Sequence, residues 1–253
     1  MKSSFKLFTV LAAFSLIFIA LRMCGAYIGY NITLLVSDLG GLTYLYSTVG
    51  TIFAIFAGFV IVSESQDWNA LNAAAKGEIS GLNEMVLWSR GLSKPLFEDF
   101  SDAVQKYVET VITVEWPALQ KGIENIEVDS TTNIFHDLIA QASQEDSTIA
   151  GQLFASFNDF LGHRATRIRL SWQPLPSIIK FTVILVDVSV ICLSLFIGVK
   201  NAWLDYIFMI CIVTLGAVVL LVIDDLDNPL RPGEWFLSNE AYKEFLKRLR
   251  ITK

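Results

Sequence analysis

Residues 42–62 read LTYLYSTVGTIFAIFAGFVIV. This run carries no charge and meets the length of roughly 20 apolar residues that a helix needs to cross a bilayer. No helix breaker follows it. Beyond it, Trp68, Leu71, Ala75, Ile79, Leu82 and Val86 recur at steps of three and four, the spacing of one helix face. The simplest reading is a single helix that crosses the membrane, continues into solvent and stops near Gly91.

Three other segments have similar character: Leu7–Tyr27, interrupted by Arg22; Ile178–Val199, with Lys180 near one end and Asp187 near its centre; and Trp203–Ile223, with Asp205 at its start. Only 17% of the 253 residues are charged, against about a quarter in soluble domains. The fold class expected is therefore all-α: a polytopic membrane protein with four transmembrane helices and a cytoplasmic helical bundle inserted between spans two and three. Lys2 and Lys6 before Leu7–Leu21 also fit a signal peptide. Arg22 is a poor neighbour for a cleavage site, and Tyr27 with Tyr30 suits an interfacial anchor, so an uncleaved span is the preferred reading.

An even number of spans puts both termini and residues 64–177 on one side. Lys2, Lys6, Arg164, Arg167, Arg169 and the basic tail from Lys243 to Lys253 lie there, against Arg22 and Lys200 on the other side. Cytoplasmic lysine and arginine are the rule, so both termini are expected inside a bacterial-type inner membrane. The expected parts are 1–63 (spans one and two), 64–177 (cytoplasmic helices), 178–223 (spans three and four) and 224–253 (a tail with an amphipathic helix over about 238–250).

Residues 64–177 hold 16 acidic and 8 basic side chains. Ser93 before Lys94 and Pro95 reads as a helix start. Phe97, Phe100, Val104, Tyr107, Val111 and Val114 continue a helical face up to Pro117, which should end or bend that helix. Gly122–Val128 reads as a connection. Ser130 is expected to cap a third helix with Ile134, Leu138 and Ala142 inward. Ser147 is expected to open a fourth, with Ile149, Leu153, Phe157 and Leu161 inward.

Little here suggests an enzyme. The chain has no phosphate-binding glycine loop, no GxSxG, no HExxH and no CxxC, and only two histidines. No cofactor or metal is expected. A net charge of −6 argues against general nucleic-acid binding. Asp187 stands out, because a carboxylate in a span faces protein or water rather than lipid. It shares a stripe with Lys180 and Ser194, and is either a pore or proton-linked acid or a structural partner to another span. Gly50, Ala54 and Gly58 offer a close-packing surface, and Ile52, Phe56 and Val60 form another stripe of the same helix. Arg164 and Arg167 share a face before span three; they can bind an anion, though such clusters more often set topology and touch headgroups. The acidic turn 224–228 can hold a hard cation or be a solvated, proline-ended turn.

Several residues in order resemble the bestrophin-like domain family of four-span membrane proteins, which is distantly related to bestrophin anion channels. They are Gly58–Val62 leading to Trp68, Asn69 and Glu78; Tyr107 with Glu115, Trp116 and Pro117; Arg164-x-x-Arg167 before Pro176; and Asp227-x-Pro229 with Gly233. The resemblance spans about residues 40–246. It implies cytoplasmic termini and a helical insertion between spans two and three. It also implies a homo-oligomer, pentameric by analogy, in which span two lines a hydrophobic neck. Ile52, Phe56 and Val60 then become pore-lining candidates. Some bestrophins bind calcium in the turn after span four; Asp227-x-Pro229 fits here, but the downstream acid run is missing.

The expected function is an oligomeric ion channel in the lipid bilayer, its permeant ion undetermined. The alternative is a non-conducting scaffold or sensor whose acidic helices bind a protein partner. A proton-coupled transporter using Asp187 ranks last, because four spans without a repeat give little basis for alternating access.

Overall fold

The computed structural model describes residues 39–122, 127–197 and 202–252, with three isolated positions, Thr9, Ala13 and Ala20. Apart from those positions, the expected span Leu7–Tyr27 and its signal-peptide alternative lie outside the described residues. So do residues 123–126 of the expected connection.

All regular structure among the described residues is helical. In order it comprises α1 (Leu39–Ser89), α2 (Lys94–Thr110), a π-helical turn (Val111–Glu115), α3 (Trp116–Gln120), α4 (Glu127–Glu145), α5 (Ser147–Ser171), α6 (Ser177–Phe196), α7 (Ala202–Leu226) and α8 (Glu240–Thr252). Among the described residues, three helices are long and apolar enough to cross a membrane: those within Gly40–Ser89, Ser177–Phe196 and Trp203–Leu226. The chain forms two compact units, Met1–Ser65 with Leu175–Asp227, and Gln66–Pro174 with Asn228–Lys253.

The first unit has a small core. Val60 of α1, Leu175, Val183 of α6 and Ile223 of α7 are buried together, with Phe53, Phe56, Ile179 and Leu220 against them. Many of its other large apolar side chains, including Ile52, Ile55, Phe59, Phe181, Leu185 and Phe208, are exposed. Apolar surface on that scale needs a cover of lipid or protein. Asp187 and Ser194 of α6 are buried. A Cβ added at Gly216 of α7 would collide with the Asp187 carboxylate. The glycine is what leaves room for the acid.

The second unit holds the larger core. Leu82, Met85, Phe100, Val104, Tyr107, Phe135, Leu153, Phe157 and Phe160 are buried, and α8 adds Tyr242, Phe245 and Leu249. Tyr107 meets Phe160 edge-on with centroids 5.0 Å apart, and Phe135 lies 5.9 Å from Phe157. Such contacts add to the area term in a core of this kind. Gly81 on α1 faces α5 so closely that a Cβ there would lie 2.9 Å from the Cβ of Phe160. The α1–α5 packing therefore depends on a glycine at that position.

Local sequence signals place several ends with different chemistry from that expected. Ser93 precedes α2, with Pro95 in the first turn, but its side chain makes no cap. Its N–H and hydroxyl instead donate to Glu145 at 2.9 and 2.6 Å, joining the start of α2 to the end of α4. Those two donors hold the Glu145 carboxyl below its usual range. α4 begins at Glu127, so Ser130 lies inside it rather than capping it. α5 begins at Ser147, but its cap is Asp146, which accepts from the N–H groups of Thr148 and Ile149.

Pro117 does not end the helix that precedes it. It lies in the first turn of α3, directly after the π-helical turn, and the chain stays helical through it. The stop comes at Gly122, whose φ of 72° is the left-handed conformation that glycine adopts freely.

Gly216→Ala should lower the thermal stability of the detergent-solubilised protein, by about 1–3 kcal/mol for an overpacked contact. Adding Asp187→Ala removes the colliding carboxylate and should recover much of that loss. Strictly additive effects of the two substitutions in the double-mutant cycle would contradict the contact.

Candidate functional site

The second unit encloses a cluster of charged groups built from four elements. Glu78 comes from α1, Tyr107 from α2, Glu115 from the π-helical turn, and Arg164 and Arg167 from α5. All of them are buried, with Arg167 and Glu78 at 0% exposure.

Arg167 is the centre. Its Nε donates to Glu78 Oε2 at 2.6 Å and its Nη2 to Glu78 Oε1 at 3.1 Å. The same Nη2 donates to Glu115 Oε1. Arg164 Nη2 donates to the other oxygen, Glu115 Oε2, at 3.0 Å. The Tyr107 hydroxyl donates to Glu78 Oε1 at 2.7 Å. The rings of Trp116 and Tyr242 lie 5.8 and 5.7 Å from the Arg167 guanidinium carbon, within cation–π range.

The chemistry follows from burial. Two carboxylates and two guanidinium groups give no net charge, and the bidentate fork of Arg167 matches the geometry of Glu78. Burial alone would pull the Arg167 guanidinium down, but Glu78 and Glu115 outweigh it and hold the charge well above the usual value. Burial, then the neighbouring Glu78 charge, pushes the Tyr107 phenol up, so it stays a hydrogen-bond donor. Burial likewise pushes Tyr242 up.

The sequence periodicity of α2 continues inward to Val111 and then predicts Val114. The π-helical turn adds a residue to the turn and shifts the face, so that Glu115 and Trp116 are buried instead. This shift delivers the second carboxylate to Arg167. The sequence reading of Arg164 and Arg167 is an anion site or, more often, a topology signal among headgroups. The structure buries both against carboxylates, because α5 presents that face to the core.

The other singled-out residues lie apart from this cluster. In the first unit Ile52 is exposed, Phe56 is half-buried and Val60 is buried against α6 and α7. Asp187 is buried beside Gly216. Lys180 pairs with Asp227 rather than with Asp187. Asp227 also accepts from the backbone N–H of Leu175, so its carboxylate closes the start of α6 onto the end of α7. Among the described residues, no three histidine, cysteine or acidic side chains are grouped to hold a metal ion.

In the second unit the Pro229 carbonyl accepts from Leu237 N–H at 2.7 Å, and Gly233 lies in the bend that follows. Sequence reasoning passed over Tyr242 and Gly216. Tyr242 was detectable from its spacing with Phe245 and Leu249 on one face of α8. Nothing in the sequence distinguishes Gly216 from the other small residues of its span.

Among the described residues these features define a helical protein of membrane type, with three apolar helices and a buried Glu–Arg cluster. Residues 41–233 match the Bestrophin-like domain family, and the chain belongs to that family. The fold matches solved structures over nearly its whole length. A bacterial Bestrophin homolog from Klebsiella pneumoniae aligns with a TM-score of 0.70 at 14% identity, covering 98% of this chain and 97% of that one. A mutant of a bacterial Bestrophin homolog from the same organism gives 0.69 at 14%, covering 99% and 100%. A structure described as a membrane protein gives 0.74 at 14%, covering 100% and 98%. No curated protein matches the chain.

Arg167→Met should destabilise the protein by about 3–5 kcal/mol, because two buried carboxylates lose their counter-charge. Tyr107→Phe removes one hydrogen bond and should cost about 1–2 kcal/mol. Thermal unfolding in detergent measures both. Equal, small effects from the two substitutions would show that Arg167 is not the centre of the cluster.

Proposed function

We propose that the protein is an oligomeric ion channel of a bacterial-type cytoplasmic membrane, with four spans and both termini inside. Residues 1–63 and 178–223 would form the membrane part, and 64–177 with 224–253 the cytoplasmic part. The family assignment supports this reading, and so does the matching fold of the Klebsiella pneumoniae homolog.

The observation that carries it is a stripe on α1. Ile52, Ile55, Phe59 and Val62 follow at steps of three, four and three, and are 54, 57, 72 and 55% exposed. An apolar stripe of this regularity, left uncovered by the other described helices, suits a helix that meets other copies or a pore axis. Of the three neck candidates, Ile52 lies on this stripe, Phe56 at its margin, and Val60 in the core with Leu175 and Val183. The proposed lining is therefore centred on Ile52 and Phe56. Apolar side chains at a narrow point gate by excluding water.

Planar-bilayer recording of the purified protein tests this. Single-channel currents are expected in symmetric potassium or sodium chloride. Ile52→Ala with Phe56→Ala should raise conductance or open probability, whereas Val60→Ala should act mainly through stability. Silence of the wild type across salts, with the double variant equally silent, would refute the channel.

A further inference from the structure

Within the second unit, α1 and α5 leave a groove of about 570 Å³, lined by Glu84, Leu87, Trp88, Gln152, Ala155 and Asp159. Trp88 and Leu87 are large apolar side chains exposed at 43 and 49%. At the groove floor Ser156 is buried, and its hydroxyl lies 3.4 Å from Glu84 Oε2. The Glu84 and Asp159 side chains are exposed. No basic residue lines the groove. The surrounding segment is acidic, and two of its basic residues, Arg164 and Arg167, are already spent on buried carboxylates.

From this charge pattern we infer that the groove docks a basic peptide segment of a partner protein, with an arginine or lysine placed over Trp88 between Glu84 and Asp159. An indole face beside carboxylates favours a cation, and a planar guanidinium most of all. Leu87 and Ala155 would take an adjacent apolar side chain. The acidic rim repels nucleic acid and anionic lipid. The chain's own basic helix, α8, is a poor occupant, because Tyr242, Phe245 and Leu249 already bury its apolar face in its own core. Conduction is not required for this docking.

The test uses the full-length protein in nanodiscs of zwitterionic lipid. The probe is a short fluorescein-labelled synthetic peptide of alternating leucine and arginine pairs, read by fluorescence anisotropy. A peptide with glutamate in place of arginine and empty nanodiscs are the controls. Saturable binding is expected, weakening about tenfold or more when salt is raised severalfold. The Glu84→Gln/Asp159→Asn double variant should lose about tenfold or more, and Trp88→Ala a comparable factor. These side chains are exposed, and unchanged thermal unfolding would confirm that the variants fold. The inference fails if the probe does not bind, if the variants bind as the wild type does, or if the glutamate peptide binds equally. It also fails if Trp88→Cys cross-links efficiently between copies, which would place a second copy of this chain in the groove.

Discussion

The charge of Arg167 can be buried only because the carboxylates of Glu78 and Glu115 both accept from it. A guanidinium withdrawn from water is costly unless its donors are matched. Here three of the hydrogen bonds it makes end on carboxylates carried by α1 and by the π-helical turn. The cluster therefore sets the register of α1, the α2–α3 region and α5 at once, since sliding any one of them leaves a buried charge unpaired. The aromatic layer of Tyr107, Phe135, Phe157 and Phe160 supplies bulk apolar burial. The charged groups bonded to Tyr107 supply a single arrangement.

Two backbone devices make that arrangement possible. The π-helical turn at Val111–Glu115 rotates the inward face so that Glu115 replaces Val114 in the core. Gly81 removes the side chain that would hold α5 away from α1. Gly216 has the corresponding role for Asp187 in the other unit. Each device is a local departure from regular packing next to a buried acid.

The long helix was legible because a 51-residue stretch without a breaker keeps the same face inward from Leu71 to Val86. The helical class and the family were legible for a similar reason, since apolar runs and ordered motifs survive as patterns. The cluster was only half legible. Its residues were visible as motifs, but Arg164 and Arg167 near a span read as surface cations, because charge in a sequence says nothing of burial. The π-helical turn hid the burial of Glu115, since a face-shifting residue breaks the 3.6 period without leaving a compositional mark. The side-chain bonds of Ser93 and Glu145, 52 residues apart, are beyond any local pattern.

The first unit differs from the second in how little of its apolar surface the described helices cover. In the proposed channel lipid would cover part of that surface, and the Ile52–Val62 stripe of α1 would face the pore axis and the neighbouring copies around it. Native mass spectrometry of the protein released from nanodiscs measures this directly. A single closed stoichiometry above two, five by the family resemblance, is the result expected. A monomer at all protein concentrations would contradict the account.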